Sequence, residues 1–422
     1  MLTASLSVTA APAAGASGLA AAAPPTTGQC RPETGFACYG VDQICGAYNV
    51  DRLIRHRVDG RGQTIAMFVS PFHLPNLIHD VAVFSAAYGL PSADVEFYSF
   101  GPNPEPDPTN SFDTFLALDG TSAVEWAHAM APGARLLVVE TGPAISDPVM
   151  HLQMLDGQIR YLLDDHMADV LSLGDGDGEA AQGRIILDNR GWLEQAAQQH
   201  VPVISIAGEI GRLSLADPAS GPDAWWPADD PLATSVGTAE LTLDASGDRT
   251  APDRVWNDSQ RVALPLAGGG GLSQFFDRPS YQHRVRSVVG DRRGVPDLAM
   301  AGGCDGRLVA YSSYDTFDFY VSNQPESASW QPFCSSSQSA ALFARIVADA
   351  QRAAGRDLGP LNPKLYQAAD VFIDVTVGDN AVSATDFSPA DPGDPASPGY
   401  DLVTGLGSPD AYKLVRDLAQ DN

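Results

Sequence analysis

Short apolar runs alternate with amphipathic stretches through the first half of the chain. The apolar runs predict buried strands at residues 64–69, 95–98, 135–139, 170–173 and 203–206. The stretches between them follow the helical period and predict helices at residues 77–88, 122–130, 148–163 and 185–199. Strands that alternate with helices indicate a parallel sheet covered on both faces.

The texture changes from about residue 222, where the predicted strands are shorter and Gly, Pro and Asp are more frequent. The exception is a largely apolar helix predicted at residues 340–354. No internal repeat is present, and nothing between residues 50 and 420 is typical of an interdomain linker. We therefore expect one domain at residues 46–422, preceded by a tail at residues 1–45.

The first 25 residues are rich in Ala and other small residues, as in the apolar and cleavage regions of a signal peptide. A basic start is missing, since no Lys or Arg precedes Arg31. The segment is either a signal whose true start lies upstream or a disordered Ala/Pro linker. We favour the signal, and therefore expect a secreted protein.

The net charge of the chain argues against two classes of binding partner. The 422 residues include 25 Lys and Arg against 52 Asp and Glu, a net charge of −27. This balance argues against nucleic acid and against an anionic membrane surface, since both need clustered cations. No apolar run approaches the roughly 20 residues of a membrane span. At acidic pH the carboxylates take up protons, which lowers the electrostatic repulsion between the many negative side chains. The composition therefore suits an acidic extracellular setting.

A run of serines stands immediately before the predicted helix at residues 340–354. The run is Ser335-Ser336-Ser337-Gln338-Ser339. Backbone N–H groups and the dipole of a helix N-terminus favour developing negative charge, which suits a nucleophile. On this motif alone, a serine-rich N-cap is the simpler interpretation.

An ordered set of further motifs favours the nucleophile over the simple N-cap. They occur at residues 125–134, 256–257, 268–271, 278–282, 295–297, 359–366, 374–378 and 399–409. In this order and spacing, with the serine run, they make residues 46–417 resemble the sedolisin (serine-carboxyl peptidase) family. The resemblance implies a subtilisin-like α/β fold with a mostly parallel, seven-stranded sheet and helices on both faces. It also implies a peptide or protein as substrate or ligand, and we expect a monomer.

The resemblance places the family's nucleophile at Ser337. Its general base, a Glu in the family, falls on Asp119, and the Asp that works with that base falls on Ala123. Its oxyanion acid, an Asp in the family, falls on Glu209. An alternative alignment would put Phe115 in the place of the Glu and require a four-residue insertion, so it does not restore the family's general base.

These substitutions predict an impaired site. Asp119 is one methylene shorter than Glu, where a shift of about 1 Å matters. Ala123 offers no carboxylate to orient the base, and the longer Glu209 must be repositioned. Ser335 and Ser336 also replace the family's Gly-Thr. We expect weak or absent endopeptidase activity, or else a pseudopeptidase that serves as a peptide-binding or structural extracellular module.

The resemblance also implies a calcium loop near the C-terminus. The matching positions are Asp374, Val375, Ser397, Gly399 and Asp401. Two carboxylates and several backbone carbonyls suit Ca²⁺. The simpler alternative is an acidic surface loop without an ion.

The five cysteines fit no zinc motif, and export would favour disulfides. Cys304 and Cys334 both lie in segments that the resemblance places beside the active site, so we expect them to pair. Cys30, Cys38 and Cys45 then supply one bridge and leave one thiol, with the choice open.

Other candidate motifs carry less weight. Residues 268–271 lack the Gly-Lys-Ser/Thr of a phosphate loop, and the resemblance places them at the border of a substrate cleft. Residues 175–179 resemble a calcium-binding run but lack the turn glycine and bidentate Glu of an EF-hand, which predicts a solvated loop. The histidines show no ligand spacing.

Overall fold

The computed structural model describes residues 23–101, 103–142, 148–215, 217, 221–261, 265–314, 316–317, 325–326, 329–384 and 389–420. The predicted signal-like segment therefore lies mostly outside the described residues. Among the described helices, none is both long and apolar enough to cross a membrane.

Thirteen α-helices occur in the described chain: α1 Thr27–Thr34, α2 Val41–Ala47, α3 Val50–Arg55, α4 Leu77–Ala87, α5 Ser111–Met130, α6 Pro148–Asp164, α7 Glu179–Gln182, α8 Ile185–Asn189, α9 Gly191–Gln198, α10 Arg286–Val289, α11 Ser336–Ala354, α12 Asn362–Leu365 and α13 Ala411–Ala419. Two 3₁₀ segments span Ser280–Val285 and Ala369–Val371.

The strands are β1 Cys38–Tyr39, β2 Thr64–Ser70, β3 Asp94–Ser99, β4 Arg135–Glu140, β5 Val170–Leu173, β6 Asp177–Gly178, β7 Val203–Ile206, β8 Trp225–Trp226, β9 Ala233–Glu240, β10 Arg254–Val255, β11 Gly271–Asp277, β12 Arg292–Val295, β13 Leu298–Ala301, β14 Arg307–Ser312, β15 Thr316–Phe317, β16 Pro325–Glu326, β17 Ser329–Phe333, β18 Phe372–Ile373 and β19 Ser408–Pro409.

The main sheet confirms the predicted α/β class. Its strand order is β10-β9-β7-β5-β2-β4-β3, and β13 pairs with the far part of β9. Seven of these eight strands pair in parallel, and only the two-residue β10 runs antiparallel to its neighbour. The expected mostly parallel, seven-stranded sheet is therefore present, with one short strand added at its edge.

The two faces of the sheet carry separate cores because side chains alternate along each strand. In β2, Ile65 and Met67 pack into the core beneath α4, α5 and α11, whereas Ala66 and Phe68 pack into the core beneath α6 and α9. Both faces of the sheet are therefore shielded from solvent, which explains why the central strands are continuously apolar.

Helix α11 runs through the larger of these cores. Ser335 caps its N-terminus with its side chain, and Gly355 ends it with a φ of 64°, a left-handed conformation that glycine adopts without strain. The helix packs against α5, α13 and strands of the sheet. Its first turn is thereby fixed at the carboxyl ends of the parallel strands, where ligands bind in open α/β sheets.

The start of the folded domain corrects the predicted boundary at residue 46. Cys38 and Tyr39 form β1, which pairs in parallel with β14 in a separate three-stranded sheet completed by β17. Phe36, Cys38 and Tyr39 are each at most 5% exposed, so they belong to the core. The tail prediction is therefore wrong from residue 27 onward, because α1, β1 and α2 form there and residues 36–39 pack into the main core.

The disulfides confirm the expected pairing. Cys304 is bonded to Cys334, and Cys30 is bonded to Cys38. Cys45 is a buried free thiol. The choice that the sequence left open is thus resolved in favour of Cys30 with Cys38, at a sequence separation of 8.

Gly120 sets how closely α5 approaches the sheet. A Cβ at this position would lie 2.8 Å from the carbonyl oxygen of Val69, closer than side chains tolerate. The absence of a side chain lets α5 lie directly against the end of β2.

The structure therefore predicts opposite effects for two helical glycines. Gly120→Ala should lower the free energy of unfolding by about 1 to 2 kcal/mol, because the clash outweighs alanine's better helix propensity. Gly157→Ala is the matched control, since Gly157 is an exposed residue of α6 with nothing near its missing Cβ. It should raise the free energy by up to about 1 kcal/mol. Urea unfolding measures both, and equal effects would contradict the close approach.

Candidate active site

The first turn of α11 presents Ser337 at the end of the main sheet. The hydroxyl of Ser335, the N-cap residue, accepts a hydrogen bond from the backbone N–H of Ser337 at 2.9 Å. Ser337 is only 3% exposed. The capping bond fixes the backbone of Ser337, and the helix dipole favours negative charge near its hydroxyl.

Asp119 of α5 contacts this hydroxyl directly. The Oγ of Ser337 donates to Oδ2 of Asp119 at 2.9 Å. Asp119 thus reaches the serine even though its side chain is one methylene shorter than the Glu of the family. The residue that follows it is Gly120, so α5 lies close enough to the sheet for the shorter side chain to make the contact.

Ser335 holds the other oxygen of the same carboxylate. Its Oγ donates to Oδ1 of Asp119 at 2.5 Å while accepting the N–H of Ser337. Ala123 is fully buried and supplies no polar atom, as the sequence predicted. The hydroxyl of Ser335, at the start of α11, makes an orienting contact that the sequence did not indicate.

Glu209 joins the site through Ser336. It follows β7 after Gly208, whose φ of 117° places its backbone against the Trp225 ring, where a Cβ would lie 3.1 Å from ring atoms. Its Oε2 accepts a hydrogen bond from the Oγ of Ser336 at 2.9 Å. Three consecutive serines therefore connect both acidic side chains to one helical turn.

The environment makes both acids easier to protonate. Burial, followed by the nearby charge of Glu209, raises the pKa of the Asp119 carboxyl to about 7, although hydrogen bonds from Ser335 and Ser337 oppose the rise. Burial also raises the pKa of Glu209, against the opposing hydrogen bonds from Ser336. Two neighbouring carboxyls in one partly buried site cannot both carry charge at low cost.

Glycines leave space beside the serine. Gly174 follows β5, and a Cβ there would lie 3.0 Å from the Oγ of Ser337. In the stretch 268–271, a Cβ on Gly269 would lie 2.1 Å from the carbonyl oxygen of Ala207. Gly269 is therefore required by backbone packing against the segment that carries Glu209, which the cleft-border interpretation did not foresee.

The predicted solvated loop at residues 175–179 is wrong for its last residue. Glu179 is fully buried, and its two oxygens accept hydrogen bonds from the hydroxyl of Ser273 and the N–H of Gln274, each at 2.6 Å. The cause is β6, which pairs with β8 and turns the following residue inward. Nothing in the local sequence signals this pairing.

The five residues proposed for calcium come together in one loop. Oδ2 of Asp401 accepts the N–H of Ser397, and Oδ2 of Asp374 accepts the N–H of Gly399, both at 2.9 Å. Both carboxylates thus converge on the same turn, and Val375 is buried beside Asp374.

An ion in this loop would depend on backbone oxygens. Within the described residues, no group of three or more His, Cys, Asp or Glu side chains could hold a metal. Two carboxylates with backbone carbonyls nevertheless form the kind of oxygen donor set that Ca²⁺ accepts, so the residues present fit this ion.

Comparison with known proteins gives relatives of one kind. Kumamolisin from Bacillus sp. (strain MN-32) is 30% identical over 390 residues, which cover 86% of this chain and 61% of kumamolisin. Tripeptidyl-peptidase sed5 from Aspergillus fumigatus is 30% identical over 239 residues, covering 51% of this chain and 37% of that protein. This chain thus spans about three fifths or less of the length of these relatives. No family model matches it.

Among solved structures, a similar one is Pseudomonas sedolisin, a serine-carboxyl proteinase complexed with two molecules of pseudo-iodotyrostatin. Its TM-score is 0.72 at 22% identity, with 90% of this chain and 98% of that chain covered. At this identity the likeness shows the fold. Together with the relatives and the ordered motifs, it leads to one assignment: the chain belongs to the sedolisin (serine-carboxyl peptidase) family.

Proposed function

We propose that this chain is a secreted serine-type endopeptidase that has kept a reduced catalytic set. Ser337 is the nucleophile, Asp119 the general base and Glu209 the oxyanion acid. The observation that carries the proposal is the 2.9 Å hydrogen bond from the Ser337 hydroxyl to the Asp119 carboxylate. A nucleophile within hydrogen-bond reach of its base is the first requirement of this chemistry.

In the proposed reaction, Asp119 first takes a proton and later returns it. Ser337 Oγ attacks the peptide carbonyl carbon as Asp119 takes the hydroxyl proton. Protonated Glu209 donates a hydrogen bond to the oxygen that becomes negative, and the α11 dipole supports that charge. Asp119 then returns its proton to the leaving amine as the C–N bond breaks, and water hydrolyses the acyl-enzyme by the same steps.

The rate should fall below that of a site with two coupled carboxylates. A serine hydroxyl can orient Asp119, but it cannot share negative charge or accept the proton. The substrate is a peptide or protein, and extracellular location is supported by two disulfides. The lack of a carboxylate at Ala123 favours a second candidate, a pseudopeptidase that binds peptides in the same cleft without cleaving them.

One assay separates the two. Cleavage of a denatured protein should be measured from pH 4 to pH 8 for the wild type and for Ser337→Ala. Asp119 must be deprotonated to act as a base, and its pKa is raised to about 7, whereas Glu209, whose pKa burial also raises, must stay protonated to donate to the oxyanion. The plot of kcat/KM against pH should therefore be bell-shaped, rising as Asp119 loses its proton and falling once Glu209 loses its own. Equal cleavage by both forms would rule out Ser337 as nucleophile. No cleavage by either, with retained peptide binding, would establish the pseudopeptidase.

A separate experiment tests whether the Ser335 hydroxyl orients Asp119. Ser335→Ala removes the donor to Asp119 and the cap of Ser337, so kcat should fall on the order of 10²-fold, the loss typical of a misplaced catalytic group. Ser335→Thr keeps a hydroxyl and should recover most of the rate. Steady-state kinetics at pH 7 measure both. Loss of rate in both variants to the same degree would show that shape, and not the hydroxyl, matters.

We also propose that the C-terminal loop binds Ca²⁺ through Asp374 and Asp401 and the carbonyls of Val375, Ser397 and Gly399. An ion that binds only the folded state at 100 times its Kd would add about 2.7 kcal/mol of stability. Chelation should therefore lower the melting temperature by several degrees, and added Ca²⁺ should restore it. Asp374→Asn should melt like the chelated wild type. A melting curve that chelation leaves unchanged would contradict the site.

A further inference from the structure

Arg212 connects the segment that carries Glu209 to a distant acidic turn. It stands three residues after Glu209, and the acidic turn is defined as residues 389–396. Arg212 Nε donates to Asp391 Oδ2 at 3.0 Å, and its terminal nitrogens donate to Asp391 Oδ1 at 2.6 Å and Asp394 Oδ2 at 3.0 Å. The guanidinium is thereby held by two carboxylates at once.

This pairing is largely removed from water. The side chains of Arg212 and Asp391 are 18% and 0% exposed. Burial alone would raise the pKa of Asp391, but hydrogen bonds from Arg212 and from the N–H of Gly393 outweigh it and lower the pKa. The ion pair therefore stays charged over the working pH range, and its forked geometry fixes direction as well as distance.

The segment of Glu209 is held on its other side by backbone bonds. Ala267 donates its N–H to the carbonyl of Glu209, and its own carbonyl accepts the N–H of Gly211, both at 3.0 Å. Gly269 also donates its N–H to the carbonyl of Gly208 at 3.0 Å, and Asp223 donates its N–H to the carbonyl of Arg212 at 2.6 Å. Arg212 adds the side-chain tie from this segment to the acidic turn.

Asn380 joins the two sides. Its Nδ2 donates to the carbonyl of Gly268 at 2.9 Å, and its Oδ1 accepts the N–H of Asp394 at 2.7 Å. Gly211 packs against the same point, since a Cβ there would lie 3.1 Å from the carbonyl oxygen of Asn380. The acidic turn, residue 380 and the ladder thus enclose the residues that immediately follow Glu209.

We propose that Arg212 is a positioning residue, which ties the backbone after Glu209 to the acidic turn and so holds the Glu209 carboxyl beside Ser336 and Ser337. This inference rests on the proposed function, in which Glu209 serves the oxyanion. It adds that order in the acidic turn, remote from the serine in sequence, is needed for full turnover.

The experiment compares two matched lysine substitutions. Arg212→Lys keeps the charge but loses the fork. Arg190→Lys is the control, because Arg190 makes a similar two-nitrogen pair with Asp230 at 2.8 and 3.1 Å, with side chains 24% and 0% exposed. Purified full chains are compared by kcat, KM and melting temperature. Asp394→Asn is a milder second variant, which removes one of the two negative charges that hold the guanidinium.

Arg212→Lys should lower kcat on the order of 10²-fold, as expected for a displaced oxyanion donor, with little change in KM. Arg190→Lys should lose similar thermal stability and keep kcat. Equal effects of the two substitutions on kcat, or none from Arg212→Lys, would overturn the proposal.

A second readout separates this proposal from the proposed function. Hydrogen exchange at the backbone amides of residues 207–213 should become faster in Arg212→Lys and stay unchanged in Arg190→Lys. If the wild type cleaves nothing but exchange changes in this selective way, the proposed activity fails while the positioning stands. If the wild type cleaves and exchange is unaffected by Arg212→Lys, the positioning is wrong.

Discussion

The contact between Asp119 and Ser337 depends on how closely α5 and α11 pack at the end of the sheet. Asp119 reaches the hydroxyl at 2.9 Å because Gly120 lets α5 lie against β2. A Cβ at position 120 would lie 2.8 Å from the carbonyl oxygen of Val69, so a larger residue would push α5 away from the sheet. The shorter side chain of Asp119 therefore makes its contact only because α5 packs closely against the sheet.

In the proposed mechanism, one acid loses its proton while its neighbour keeps it. The charge of Glu209 makes Asp119 harder to ionise, so a neutral Glu209 is what allows Asp119 to act as a base. Hydroxyl groups of Ser335, Ser336 and Ser337 surround both acids. Because these groups are neutral, they direct the carboxyls without adding a third charge to a partly buried space.

The sequence was sufficient for the scaffold and for the residues that meet at its edge. Apolar runs located the central strands, and the motif order picked out Asp119, Glu209 and Ser337, which the structure brings together at the first turn of α11. It failed on two kinds of feature. The helix predicted from residue 122 begins at Ser111, since Gly120 and the polar cap at Asn110 interrupt the apolar pattern. The partnership of Ser335 with Asp119 spans 216 positions, and such pairings leave no local signal.

The bridge from Cys304 to Cys334 ends one residue before Ser335, whose N–H also bonds to the carbonyl of Gly302 at 2.9 Å. The N-cap of α11 is therefore cross-linked to the strand end beside it. Protein made in a reducing cytoplasm would keep its sheet and helices but lose this cross-link. Under the proposed function, a preparation of that kind would give a normal far-ultraviolet spectrum and a lowered rate of cleavage, so the protein should be folded under oxidising conditions.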